Sequence, residues 1–593
     1  VLLITDYRSL ITFAENAIMR EALEPQQRRK LIEVARGDAP ADLVLENARL
    51  VNVRSGELHD ANVAVYGGRI AGFGTYEAHE TIDLKGAYLC PGLIDAHVHI
   101  ESSMVSVPEF ARAVVPRGTT AVVTDPHEIA NVLGVAGIRY MLDSAEGLPL
   151  RVFVMASSCV PATHMETAGA KLEAADLEPL FEHPRVIGLA EVMNFPGVFL
   201  GVPEVLAKIE AAGDRPVDGH APGLAGKPLD AYAAAGVGSD HECTELEEAR
   251  EKLRRGMHIF IREGTAARNL DALLPLVSPA NAANCSFCTD DRHPEDLLDE
   301  GHIDALLRMA IARGLDPITA VQMATINTAN YFGLRGLGML APGYRADMVV
   351  VDDLNDFRAR VVFSGGQVVA ENGDYKGARP APPAPPGGGL QVKWEAVDLA
   401  VPVTGDATAR VIVAIPGQIV TGQSVERLKA EDGRAVADPD RDLLKIAVVE
   451  RHRATGNVGI GFVRGFGLQR GAIASTVAHD NHNIVVVGAD DSDMMAAARA
   501  VAESGGGQAV VADGRVLESV PLPIAGLMSD LPLEQVRDRV EAMGTAARKL
   551  GGTLPDPLMT MSFLALAVIP ELKITDRGLV DVGQFKLVPL IVT

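Results

Sequence analysis

Between Leu93 and Asp290, eight short apolar runs alternate with helical stretches, and this alternation restricts the chain to parallel βα units. The runs are Leu93–His97, Ala121–Asp125, Val152–Ala156, Val186–Glu191, Pro216–His220, Gly236–His241, His258–Glu263 and Cys285–Asp290. Eight such units within roughly 240 residues match the size of a (β/α)8 TIM barrel. Before them, Leu43–Leu45, Leu50–Val53, Val63–Tyr66 and Ile70–Phe73 read as short strands. Turns at Ser55-Gly56 and Gly67-Gly68 join them. Short strands return at Ala346–Val351 and Ala359–Phe363, as if to complete that small β unit. Residues 7 to 36 show helical periodicity.

The expected fold is therefore α/β: a barrel, a small flanking β domain built from segments on both sides of it, and a C-terminal α/β domain. The divisions fall at 1–38 (helical), 39–92 with 336–378 (β domain), 93–335 (barrel), 379–389 (linker) and 390–593. Proline and glycine crowd the linker. Strands such as Val411–Ile415, Ile484–Val487 and Ala509–Ala512 mark the last unit.

Charge narrows the function. Lys plus Arg number 54 against 78 Asp plus Glu, a net charge of −24 that repels nucleic acid and anionic membrane surfaces. No apolar run approaches the ~18 residues of a membrane helix. Asp6 and Arg8 interrupt the apolar start, which does not read as a signal peptide. Five cysteines make no disulfide framework, and a reducing cytoplasm is the expected compartment.

The ends of the runs carry the chemistry, since barrel active sites lie at the C-terminal mouth of the strands. His97 and His99 share one side of an extended segment, so both imidazoles can reach one metal pair. Glu191, His220, His241 and Asp290 end four further runs. By donor chemistry alone, four imidazoles and two carboxylates suit zinc, iron or manganese.

His97-x-His99, His220, His241 and Thr289-Asp290 resemble the amidohydrolase superfamily of metal-dependent hydrolases. Within it, Asp95–Met104, Gly188–Gly197 and Cys288–Pro294 are similar to the bacterial adenine deaminase family, from about Leu31 to the C-terminus. Glu191 stands where many superfamily members place a carbamylated lysine, as that family does. The resemblance implies a binuclear centre of manganese or iron. His97, His99 and Asp290 would hold one ion, His220 and His241 the other, and Glu191 would bridge. It also implies hydrolysis of free adenine to hypoxanthine and ammonia, and a homo-oligomer, with a dimer expected.

In that reading activated water adds at C6, Asp290 takes its proton, ring N1 is protonated and ammonia leaves. Candidate donors to N1 are Glu101 and the cluster Asp125, His127 and Glu128. The competing view of Glu101 is a solvated loop carboxylate. Asp291 and His293 are candidates to orient ligands or contact the purine. His479 and His482, in a run of five polar residues, fit either a tight turn or a lid or auxiliary metal site facing the mouth. Cys285-x-x-Cys288 and Cys243 read as packing. The rival enzyme is a cyclic amidase, which usually carries the bridging lysine. The non-enzymatic rival is a scaffold, which would lack at least one ligand.

Overall fold

The computed structural model describes residues 23–386 and 390–592. A helix spans Pro25–Ala35, with proline at its first turn; residues 7–22 of the expected helix lie outside the described residues. Next comes a nine-stranded sheet that uses chain from both sides of the parallel strands. Met348–Val351 runs antiparallel to Tyr88–Pro91, with Met348 opposite Pro91 and Val351 opposite Tyr88. One boundary differs from the sequence reading. Leu43–Leu45 and Leu50–Val53 do not form two strands. A single strand, Ala41–Asn52, contains most of both, and its register shifts between Leu45 and Ala48. Asn47 absorbs the shift with φ of 54°, a left-handed conformation that asparagine tolerates better than most residues.

Each of the eight runs contains a strand, although Pro216–His220 keeps only Val217–Gly219 and Gly236–His241 only Ser239–Asp240. Five form one parallel sheet in the order Val217–Gly219, Val186–Val192, Arg151–Ala156, Thr119–Thr124, Leu93–Val98. Ser239–Asp240, His258–Arg262 and Cys285–Cys288 form a second parallel sheet. The two sheets meet at both ends. Val98 bridges Asp290, whose N–H donates to the His97 carbonyl at 2.9 Å. On the other side Gly238 donates to the Val217 carbonyl at 2.9 Å. The approach there demands glycine: a Cβ on Gly219 would sit 2.2 Å from the Ser239 carbonyl oxygen.

A separate C-terminal domain holds an eight-stranded mixed sheet from Thr408–Ala414 through Arg515–Pro521, with Asp491–Glu503 packed against it. It does not stand apart from the parallel strands. One hydrophobic cluster includes Met104, Val105 and Val107 together with Leu527, Met528 and Leu533, and Ser529 N–H donates to the Met104 carbonyl at 2.8 Å. All five cysteines are buried and free, and burial pushes the Cys285 thiol up to about 12, as packing residues behave. Among the described residues no helix is long and apolar enough to cross a membrane.

Candidate active site

The site forms because each parallel strand ends in, or just before, a polar residue facing the same mouth. Glu191 lies at its centre, 2% exposed, on the strand Val186–Val192. Its two oxygens face different histidines. Oε1 lies 3.2 Å from His99 Nε2 and 3.7 Å from His97 Nε2. Oε2 lies 2.6 Å from His220 Nδ1 and 3.3 Å from His241 Nε2. Asp290 Oδ1 closes the first group, 3.1 Å from His99 and 3.5 Å from His97. The structure thus brings all six sequence-derived ligand candidates together.

Neighbours set the state of these candidate ligands. His99 Nδ1 lies 2.9 Å from the Asp125 carbonyl, to which it can only donate, so Nε2 carries the lone pair toward the site. Burial would raise the Glu191 and Asp290 carboxyls. The facing His220 and His241 hold Glu191 well below the usual range, and Arg262 does the same for Asp290.

The other candidates divide by position. His127 lines the cavity; its Nδ1 is 3.0 Å from Asp125 Oδ2 and its Nε2 is 3.3 Å from Glu128 Oε1. Burial opposes its protonation, but those carboxylates outweigh it and hold the imidazole well above its ordinary pKa. Asp125 lies behind His127, within 3.0 Å of its Nδ1, and accepts from Ser157 at 3.1 Å. Asp291 lines the cavity and accepts from the Ser102 hydroxyl.

Two expectations need correction. Glu101 is neither on the cavity wall nor solvated: it is 2% exposed and accepts from the Ile129 N–H at 3.2 Å. Burial raises its pKa to about 7. The short helical turn Ile100–Ser103 directs it to the first turn of the helix His127–Leu133. His293 faces Asp556 at 3.3 Å and Glu295 at 3.5 Å instead of the cavity. The run containing His479 and His482 is a wholly buried turn, and His479 lines the cavity. His479 Nδ1 lies 2.6 Å from Glu128 Oε1, and His482 Nε2 reaches Glu128 Oε2 from behind the wall. Burial would lower the His479 pKa, but the Glu128 charge outweighs it and raises it to about 9. Neighbouring bonds tie the segment down: Asn481 donates to Glu166 at 3.0 Å and Asn483 to the Thr167 carbonyl at 2.8 Å.

Sequence reasoning missed Glu242 and Arg262. Glu242 Oε1 lies 3.7 Å from both His220 and His241, while Arg262 donates to Glu242 and to Asp290. The available signal was the cation itself, since an arginine inside the apolar strand His258–Arg262 needs buried acidic partners. Also unread was an apolar wall from the C-terminal domain, made by Ile419, Phe563, Leu566 and Ile569.

Comparison with known proteins agrees with this geometry. A family model described as "Amidohydrolase family" matches residues 88–369, and one described as "Adenine deaminase C-terminal domain" matches residues 418–586. The adenine deaminase of Desulfatibacillum aliphaticivorans is 56% identical over 564 residues, covering 95% of this chain and 99% of that protein. A protein named adenine deaminase 2, from Carboxydothermus hydrogenoformans, is 52% identical over 575 residues, covering 95% of this chain and 99% of its own.

Proposed function

The chain belongs to the adenine deaminase family of amidohydrolases, and from that premise we propose that it hydrolyses adenine to hypoxanthine and ammonia in this cavity. The observation that carries the reading is Glu191, one oxygen facing His97 and His99 and the other facing His220 and His241. A carboxylate so placed fits a bridge between two divalent cations. We assign His97, His99 and Asp290 to one cation and His220 and His241 to the other. Buried imidazole and carboxylate donors suit manganese, iron or zinc, and we favour manganese or iron. When bound, such cations supply acidified water, lowering its pKa from 15.7 toward about 7.

The protein's own groups do the rest. Asp290, kept ionised by Arg262, accepts the proton that water gives up as its oxygen bonds to C6. The displaced π electrons pass to N1, and His127 supplies the proton there, because the Asp125 and Glu128 carboxylates keep both its nitrogens protonated. Asp290 passes that proton to the amino group, the C6–N bond breaks and ammonia leaves, and the C6 hydroxyl proton returns to His127 to give hypoxanthine. The apolar wall of Phe563, Leu566 and Ile569 excludes water from the base. We also read the two parallel sheets as one closed eight-stranded barrel over 93–335, supported by the contacts at both junctions.

Ammonia release from adenine and adenosine, measured side by side with added Mn²⁺, tests this reading. Turnover of adenine with little of adenosine is expected, because the closed wall leaves a ribose no room. Equal kcat/KM for both substrates, or turnover of a cyclic amide alone, overturns it.

A further inference from the structure

The cavity wall supplied by the C-terminal domain carries a buried polar atom that no group among the described residues satisfies. His479 lies flat on Phe563, with ring centroids 4.5 Å apart and planes within 13°. Its Nδ1 is held by Glu128 at 2.6 Å, whereas its Nε2 is buried without a hydrogen-bond partner. Such an atom is costly to bury unless a ligand meets it.

Glu128 is itself fixed. Ala478 N–H donates to His482 Nδ1 at 3.2 Å, so that nitrogen holds the lone pair. The proton of His482 must then sit on Nε2, which donates to Glu128 Oε2. A carboxylate gripping one imidazole nitrogen while the other stays free is the way enzymes aim a histidine at a substrate.

We propose that His479 is a substrate-binding residue supplied by the C-terminal domain: its Nε2 hydrogen-bonds a purine ring nitrogen other than N1, and Glu128 and His482 are its positioning residues. The inference rests on the adenine reading above. The direction of the bond follows from the environment. With Glu128 holding a proton on Nδ1 and its charge favouring the imidazolium, Nε2 is a donor, and it requires a lone pair on the base. With N1 assigned to His127, the lone pairs of N3 and N7 remain.

The test uses the full-length, metal-loaded protein and the variants His479→Phe, His479→Leu and Glu128→Gln. Adenine, 3-deazaadenine and 7-deazaadenine are compared as substrates or competitive ligands. His479→Phe keeps the ring stacked on Phe563 and should lower kcat/KM for adenine about 10- to 100-fold, mainly through KM, with metal content unchanged. One deaza analogue, already weaker with the unaltered protein, should then lose nothing further, which identifies N3 or N7. Glu128→Gln should blunt the same discrimination; if it is unchanged, Glu128 does not aim the ring. An equal loss for all three ligands, or no loss for adenine, overturns the proposal. If His479→Phe fails to fold, His479→Leu, which likewise lacks the donor, supports the same comparison. Should the unaltered, metal-loaded protein release no ammonia from adenine, the functional reading itself fails, a result distinct from an equal loss across ligands.

Discussion

The Arg262 guanidinium lies 2.7 Å from Asp290 Oδ2 and donates at the same time to the Glu242 carboxylate, so one buried cation serves two acids that face the histidines. Replacing Arg262 with Met leaves both carboxylates buried without their partner. Destabilisation of about 3–5 kcal/mol is expected. Arg262 holds the Asp290 pKa down, so its loss raises that pKa, and the acid limb of kcat/KM moves to higher pH. A pH profile with an unmoved acid limb would show that Asp290 ionises without help from Arg262.

Glu191→Gln probes the centre of the site. A neutral amide cannot balance two dications, so this variant should lose at least one metal per chain together with most activity. Elemental analysis beside the ammonia assay reads both. Full occupancy with full activity removes Glu191 from the bridging role.

Cutting the chain after residue 386 tests how far the two parts depend on each other. Met104, Val105 and Val107 share a core with Leu527, Met528 and Leu533, so the cut strips apolar cover from the parallel strands. The shortened chain should lose its cooperative thermal transition, as well as turnover. A folded, metal-loaded fragment with a sharp melt would show that the strands need no such cover.

Lys573 offers a stability test by pH. It is buried, and its Nζ donates to the carbonyls of Ile419 at 2.8 Å and Phe563 at 3.0 Å, both in the cavity wall. Burial pushes its pKa from 10.5 down to about 7. Between those values the unfolded chain holds a proton that the folded chain lacks. Stability from this residue therefore rises with pH across the window and is lowest below 7. Urea melts should show the protein gaining about 2–3 kcal/mol more than Lys573→Met between pH ~7.5 and ~9.5. Parallel pH dependences would mean the amine titrates normally.

Most of the site was legible because each ligand interrupts an apolar run: His97, Glu191, His220, His241 and Asp290 are polar residues where an uninterrupted strand would continue. Glu242 was hidden because its strand, Ser239–Asp240, is too short to show a pattern. The partners of Glu128 were beyond reach for another reason. His479 lies 351 positions along the chain, and no local periodicity encodes a contact made by folding one domain onto another. The same distance explains why His482 could be read only as part of a turn, a lid or an auxiliary metal site.

The apolar wall has a practical consequence for redesign. Ile419, Phe563, Leu566 and Ile569 line the cavity, and none of them is among the groups assigned to metal. Enlarging that wall, for instance by Leu566→Ala, offers a route to bulkier 9-substituted purines that leaves the metal-binding groups in place. Widening the pocket from the parallel-strand side would mean moving Glu191 or Asp290. The two parts of the chain divide the labour that an engineer must respect: the parallel strands carry the metal-binding groups, and on the C-terminal side only the aliphatic positions away from His479 and Phe563 are open to change.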